Sequence, residues 1–222
     1  GGYRAARGER RGGGRWRRVG GAAYAAERGG AGGRAGAGGA GLWVVGAECV
    51  GLVWPGIGRG WGLRAALSRP GRVGLGSRSG TLSLLMLRTL SAAGIGQSTV
   101  VSMGGDSIIG RRPVEYVRAF EADPETDAVV VVGEIGGGKE AELARALPEI
   151  SKPVVVLIAG RSAPEGRRLG HAGALVSGAS ETAAAKMALL AEAGAHVCRS
   201  PAEVVAALNA LSAAAGTNGE GT

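Results

Sequence analysis

Cysteine, histidine and aromatic residues are scarce in this 222-residue chain. Two cysteines, Cys49 and Cys198, are too few for the disulfide framework of a small secreted protein, so we interpret both as reduced thiols. No stretch approaches the ~18 consecutive apolar residues of a membrane span, and the arginine-rich start lacks the apolar core of a signal peptide. We therefore expect a cytoplasmic protein that does not enter a membrane, and we predict no metal site.

Lysine is rare as well, with three lysines against 23 arginines. Residues 1–72 hold 13 arginines and 3 glutamates with neither lysine nor aspartate, whereas residues 73–222 hold 13 basic and 15 acidic side chains. The first third therefore has a net charge of +10 and the remainder a net charge of −2. The strongly basic character of the chain thus belongs to its first third alone.

Large apolar residues are also few in the first third. Residues 1–42 are built mainly of glycine, alanine and arginine, and such a segment cannot offset the entropy cost of ordering. We predict a disordered, low-complexity segment, which a misread or frame-shifted GC-rich coding sequence would also produce. A basic glycine–arginine tract could instead bind nucleic acid through phosphate contacts, but it lacks a repeated Arg-Gly-Gly unit, so we do not expect this partner.

After residue 70 short valine-rich runs alternate with helical stretches. Strands are predicted at residues 73–77, 99–103, 128–132, 153–158 and 196–198, and helices at 81–92, 114–122, 139–147, 182–193 and 202–213. Continuous apolar strands alternating with helices are typical of a parallel sheet covered on both faces. The predicted fold is an α/β domain over residues 72–213, an open flavodoxin-like parallel sheet, with a flexible tail at 214–222.

Three of the predicted strands end in glycines and polar side chains. The first runs into the turn Ser77-Arg78-Ser79-Gly80-Thr81 and then a helix, whose N-terminus favours an anion. The other two end at Gly104-Gly105-Asp106 and at Glu134. Since ligands of open α/β sheets usually bind outside the carboxyl ends of the strands, these segments predict a binding edge. The backbone alone could serve the anion, with the Arg78 side chain pointing into solvent.

His171 lies in a long loop, in the segment Gly-His-Ala-Gly-Ala. Small neighbours give a bulky, charged reactant access to the imidazole, which can act as a nucleophile. An isolated histidine is more often a packed or surface residue, and we interpret the other histidine, His196, as structural. Arg161, Arg167 and Arg168 in the same loop are either solvated side chains or groups that steer phosphate.

Taken in order, these segments resemble the α subunit of succinyl-CoA synthetase. The matching motifs are Pro-Gly-Arg-Val-Gly with Ser-Arg-Ser-Gly-Thr-Leu (70–82), Gly-Ile-Gly-Gln-Ser-Thr (94–99), Gly-Gly-Asp (104–106), Gly-Glu-Ile-Gly-Gly (133–137) and Gly-His-Ala-Gly-Ala (170–174). Five motifs in one order, over about residues 70–211, are far more specific than a single glycine pattern.

The resemblance implies an acid–CoA ligase of the tricarboxylic acid cycle. Such a ligase joins an acid to coenzyme A, cleaves a nucleoside triphosphate and forms a phosphohistidine intermediate. The resemblance also implies that His171 carries the phosphoryl group, that Glu134 orients it, and that the turn from Ser77 to Thr81 receives the phosphate. It places the acid near Gly104, Gly105 and Asp106. It further implies coenzyme A and Mg-ATP or Mg-GTP as substrates, with nucleotide and Mg²⁺ on an ATP-grasp β subunit that forms a heterodimer or heterotetramer with this chain.

The chain departs from the family before residue 70. The family begins with a Rossmann-like domain that binds coenzyme A, but no such pattern is visible here, and we interpret residues 43–71 as a degraded remnant of that domain or a linker. Ser107 also stands where the family usually has proline. A rival prediction is therefore a non-catalytic module that docks a β subunit without binding coenzyme A.

Overall fold

The computed structural model describes residues 15–19, 22–26, 43–46, 49–56, 58–106, 109–161 and 174–217. Strands of the first part are β1 (Arg15–Val19), β2 (Ala22–Ala26), β3 (Trp43–Val45), β4 (Gly51–Trp54) and β5 (Gly58–Gly62). Those of the second part are β6 (Pro70–Ser77), β7 (Gln97–Ser102), β8 (Ala128–Glu134), β9 (Val154–Ala159) and β10 (His196–Cys198). The α-helices are α1 (Gly80–Ala92), α2 (Pro113–Ala122), α3 (Lys139–Ala146), α4 (Ala183–Glu192) and α5 (Pro201–Thr217). Short 3₁₀ turns cover Ala65–Leu67, Leu147–Glu149 and Ala179–Glu181.

The main sheet confirms the predicted fold. Its parallel strands lie in the order β7-β6-β8-β9-β10. This is the flavodoxin-like order, in which the first strand lies between the second and the third, and the chain direction across the sheet reverses between the first and third strands. Here that reversal lies between β6 and β8, so a ligand is expected at the carboxyl ends of these two strands.

Two layers of helices cover the sheet because its valines alternate between the faces. Val129 and Val131 of β8 pack on one face with side chains of α2, α3 and α4. Val130 and Val132 pack on the other face with side chains of α1 and α5. A strand buried on both sides must be apolar at every position, which is why the sequence signal was a continuous valine run rather than an alternating one.

Strands β4 and β5, which lie within residues 43–71, belong to the same sheet, and the sequence did not predict them. Strand β4 pairs antiparallel with β7, through Leu52 with Val101 and Val53 with Val100, and β5 pairs antiparallel with β4. Leu52 and Val53 are buried on opposite faces. Part of the segment that we interpreted as a degraded remnant or a linker thus forms an antiparallel edge on an otherwise parallel sheet, and its origin stays a prediction.

Strands β1 and β2 lie within residues 1–42, the segment for which we predicted disorder. β1 pairs antiparallel with β2, and β2 pairs with β3 in a separate three-stranded sheet. The other residues of 1–42 lie outside the described part of the chain, and the order of the segment in solution stays a prediction.

The last helix is longer than predicted. Ser200 caps α5 as expected, since its Oγ accepts a hydrogen bond from the Glu203 N–H at 3.2 Å. The prediction that a flexible tail begins at residue 214 is wrong, because α5 continues to Thr217. The run Ala213-Ala214-Ala215 explains the difference, since alanine has the highest helix propensity of all residues.

Gly74 supplies the first test of this packing. A Cβ atom at Gly74 would lie 2.6 Å from Cδ1 of Phe120, in the interior between β6 and α2. We expect Gly74→Ala to lower the free energy of unfolding by about 1–3 kcal/mol, the usual cost of overpacking. Urea denaturation measures this, and Gly178→Ala is the control, because φ at Gly178 is −164° and a Cβ there would meet nothing within 4 Å. An unchanged midpoint for Gly74→Ala would contradict the packing described here.

Candidate functional site

The turn after β6 is held by its own polar groups. Ser77 is fully buried; its Oγ donates to the carbonyl of Ser79 at 2.9 Å and its carbonyl accepts from the Met103 N–H at 2.7 Å. The Arg78 N–H donates to the carbonyl of Val132 at 2.9 Å. Ser77 and the Arg78 backbone therefore shape the turn and tie it to β7 and β8, which leaves anion contacts to the residues that follow.

Those residues form the N-terminus of α1. Ser79 is the N-cap, and its side chain accepts a hydrogen bond from the Leu82 N–H at 3.3 Å. The first N–H groups of a helix have no acceptor within the helix, so those of Gly80 and Thr81 can serve an anion. A larger residue at Gly80 would displace the Val50 side chain, because a Cβ would lie 2.7 Å from Cγ1 of Val50. Thr81 is exposed.

The Arg78 side chain does not point into solvent, so that suggestion from the sequence is wrong. It is 1 % exposed, and its Nη2 lies 2.8 Å from Oε1 of Glu134 while its Nη1 donates to Oε1 of Glu140 at 3.1 Å. A guanidinium that is taken out of water needs such carboxylates, because an unpaired buried charge is very costly. The side chain therefore crosses beneath the turn toward β8 and α3.

A second cation completes this group. The Lys186 Nζ donates to Glu140 Oε2 at 2.5 Å, to the Glu134 carbonyl at 2.8 Å and to the Gly136 carbonyl at 2.6 Å. We call Arg78, Glu134, Glu140 and Lys186 the buried charge cluster; all four are at most 4 % exposed. Two guanidinium or ammonium cations balance two carboxylates, so the cluster carries no net formal charge.

Sequence reasoning found two members of the cluster and missed Glu140 and Lys186. Both positions carried a signal, since each lies on the apolar stripe of its helix. Glu140 precedes Leu143 and Ala144 by three and four positions, and Lys186 lies between Ala183 and Leu190 at the same spacings. A charged residue on a buried stripe is informative, because such residues are almost never buried without partners.

The segment Gly104-Gly105-Asp106 lies at the carboxyl end of β7, as predicted. Gly104 has φ of +104°, a conformation that glycine adopts without strain. Lys139, the first residue of α3, donates from Nζ to the Asp106 carbonyl at 3.0 Å. Partial burial lowers the pKa of Lys139, and the neighbouring Arg78 charge lowers it further. Lys139 therefore connects the start of α3 to Asp106, in the segment predicted to contact the acid. The sequence analysis did not single out this lysine.

His171, Arg167 and Arg168 lie outside the described residues, but both ends of their loop are defined. The loop leaves the sheet after β9, whose last residue, Ala159, is the register partner of Glu134. It returns through buried Ala174 to Glu181, whose carbonyl accepts from the Gly136 N–H at 2.9 Å. The loop that carries His171 therefore begins and ends beside the turn that follows Glu134.

A family model decides the relationship of this chain to known proteins. Residues 70–211 match the model described as the succinyl-CoA ligase like flavodoxin domain. The chain belongs to this family. The resemblance predicted from the five motifs is thus confirmed over the same residues.

The similar proteins are ligase subunits. The chain is 48% identical over 165 residues to the "Succinate--CoA ligase [ADP-forming] subunit alpha 2" of Archaeoglobus fulgidus, a match that covers 74% of this chain and 58% of that protein. It is 43% identical over 159 residues to the "Malate--CoA ligase subunit alpha" of Methylorubrum extorquens, covering 71% and 54%. The chain thus spans little more than half the length of the curated relatives it matches.

Solved structures agree with the family. ATP citrate lyase from Methanothrix soehngenii, determined with citrate and coenzyme A, superimposes with a TM-score of 0.71 at 30% identity, covering 78% of this chain and 30% of that chain. The D541A mutant of ATP citrate lyase from Methanosaeta concilii gives a TM-score of 0.67 at 31% identity over 72% of this chain and 29% of that one.

Among the described helices of our chain, none combines the length and apolar character of a bilayer span.

Proposed function

We propose that this chain is the α-subunit part of an acid–CoA ligase of the succinate–CoA ligase type, in which His171 carries a phosphoryl group. One observation supports this most directly: both ends of the loop that contains His171 are attached beside Glu134, at the point between β6 and β8 where ligands of this fold bind. The helix N-terminus of α1 follows β6 at the same edge. A nucleophile, a carboxylate and an anion site are then close together.

In this proposal Glu134 accepts a hydrogen bond from one imidazole nitrogen of His171 and thereby fixes the tautomer that leaves the other nitrogen able to attack. The Arg78 contact does not exclude this role, because a carboxylate has two oxygens and accepts several hydrogen bonds. The N–H groups of Ser79, Gly80 and Thr81 stabilise the phosphoryl oxygens. Gly104, Gly105 and Asp106 contact the carboxylic acid.

The reaction needs parts that lie on other chains or segments. Attack by His171 on the γ-phosphorus of ATP or GTP forms a P–N bond and releases ADP or GDP. Transfer from the histidine to the acid gives an acyl phosphate, and attack by the coenzyme A thiol gives the thioester and inorganic phosphate. We propose that an ATP-grasp β subunit binds the nucleotide with Mg²⁺, and that the complex is cytoplasmic.

Phosphohistidine labelling tests the proposal. The purified chain is mixed with its β subunit, Mg²⁺ and γ-labelled nucleotide, and acid-labile, base-stable label on the chain is measured. We expect label on the wild-type chain and at least a 100-fold loss in His171→Asn. His196→Asn is the matched control, because His196 is exposed and begins β10 beside Val155, near the opposite end of β9 from Ala159.

Two results would contradict the proposal. Label that persists in His171→Asn would assign the phosphoryl group to another residue. No label on the wild-type chain, although the complex forms, would leave the rival prediction of a docking module that turns over nothing.

A further inference from the structure

We propose that Glu140 and Lys186 are positioning residues, which hold Glu134 and the turn Glu134–Gly137 in place for the phosphoryl step. The inference rests on the proposed function and deepens it. Neither residue is assigned a role by the motifs, and neither would touch the phosphate. Each acts on the backbone of Glu134 rather than on a reacting atom.

The contacts converge on one short segment from two helices. Glu140, on α3, accepts the Glu134 N–H through Oε1 at 3.2 Å, and Lys186, on α4, donates to the carbonyls of Glu134 and Gly136 at 2.8 and 2.6 Å. The turn is of a kind that needs such partners, because Gly136 and Gly137 have φ of +80° and +64° and continue neither strand nor helix. Its polar groups would otherwise be buried without satisfaction.

Gly133 allows this arrangement. A Cβ at Gly133 would lie 3.0 Å from Cγ of Glu140 and 2.8 Å from Cδ1 of Ile158. The absence of a side chain at the end of β8 therefore lets the Glu140 carboxylate reach both the strand backbone and Arg78. Glu140 thus binds both the backbone N–H of Glu134 and the Arg78 guanidinium. These two contacts define where the Glu134 carboxylate lies.

Lys186 also connects the turn to the loop of His171. The loop returns at Glu181, Thr182 caps α4 by accepting from the Ala185 N–H at 3.2 Å, and Lys186 follows one turn later. Lys186, which follows the end of this loop, therefore donates hydrogen bonds to the carbonyls of Glu134 and Gly136. Lys186 thus contacts the Glu134 turn from the helix that follows the loop.

Stability alone does not explain the cluster. Replacing a buried, balanced ion pair by apolar residues of similar volume is often neutral or stabilising, so such pairs are weak evidence for a stabilising role. What apolar residues cannot do is hold two carbonyls and an N–H in fixed directions. This difference separates a positioning role from a structural one.

The test is the charge-neutral double variant Glu140→Met/Lys186→Met in the complex with the β subunit. Methionine is unbranched, fills similar space and favours helices, and the Arg78–Glu134 pair remains balanced. We expect the variant to fold with a lower melting temperature than the wild type, because its charges stay balanced but the carbonyls of Glu134 and Gly136 lose a donor, and labelling is measured at a temperature where it is folded. We expect the single-turnover labelling rate to fall by about 10- to 100-fold, the usual effect of losing groups that orient a functional residue, with nucleotide half-saturation unchanged.

The control is Arg118→Met/Glu149→Met, which removes an ion pair whose side chains are 56 % and 66 % exposed. It should label at the wild-type rate. A double variant of the cluster that is folded and labels at the wild-type rate would overturn the inference. If that variant does not fold, Glu140→Leu/Lys186→Met replaces it, because leucine also favours helices and also removes the hydrogen bonds and the charge; the same rate criterion applies.

A second measurement separates this inference from the proposed function. Amide hydrogen exchange of residues 133–138 should be at least tenfold faster in the double variant than in the wild type, because its anchors are lost. If the wild-type chain takes no label, the proposed function fails, and exchange alone decides whether Glu140 and Lys186 fix the turn. Unchanged exchange in the folded double variant would overturn the positioning role irrespective of activity.

Discussion

Replacing Lys186 alone by methionine is expected to lower the free energy of unfolding by about 3–5 kcal/mol, the usual cost of breaking a buried ion pair from one side. The ammonium group is 2 % exposed and donates to two carbonyls and to Glu140. Its removal leaves the carbonyls of Glu134 and Gly136 without this donor and leaves two carboxylates against one guanidinium. The expected loss is large because these carbonyls are buried, and a buried acceptor without a donor keeps its desolvation cost.

Urea denaturation followed by circular dichroism measures this loss. Arg118→Met is the matched control, since it also removes one cation of an ion pair, and an exposed pair contributes only about 0–1 kcal/mol. Adding Glu140→Met to Lys186→Met restores the charge balance and should recover the part of the loss that comes from the unpaired carboxylate, whereas the two carbonyls still lack their donor. If the single variant is as stable as the control, the cluster is not the charge-balanced unit described here.

The second large effect is expected at Glu134. The variant Glu134→Gln should label at His171 about 10- to 100-fold more slowly, because an amide offers one acceptor where the carboxylate offers two and carries no charge to stabilise an imidazolium. It should also be less stable by about 3 kcal/mol, since Arg78 and Lys186 then face only Glu140. The two losses are measured on the same protein, with labelling done at a temperature where the variant is folded.

Glu142→Gln is the control for this variant. Glu142 lies on α3, like Glu140, but its pair with Arg112 is partly exposed and faces away from the cluster residues. It should label normally. A Glu134→Gln chain that is destabilised yet labels at the wild-type rate would show that Glu134 serves the cluster and does not orient the histidine.

Much of the fold and part of the site could be predicted from the sequence. Runs such as Ala128–Val132 predicted buried strands, and Ser200-Pro201 predicted a helix start, because these signals depend on residues next to one another. The turn after β6, the end of β7 and Glu134 were predicted to lie at one edge, since parallel strands present their carboxyl ends together. The ordered motifs then predicted the family, which the comparison confirms.

Three features could not be read from the sequence. Residues 51–62 gave no strand pattern specific to this sheet, because an edge strand is chosen by the partner it meets, here β7. Arg78 could equally have faced solvent, since the sequence of a turn does not determine the direction of its side chain. Lys186 lies on the apolar stripe of its helix, but the sequence does not show which partners its charge would meet there.

The sequence by itself therefore determined the alternation of strands and helices, the caps and turns, and the motifs that identify the family, because each depends on local propensity or on order along the chain. Only the tertiary structure decided the antiparallel edge and the buried charge cluster. Arg78 and Glu140 are 62 positions apart, and Glu140 and Lys186 are 46 apart. Whether such charges are buried or solvated depends on partners that only the packing of α3 and α4 against the end of β8 brings within reach.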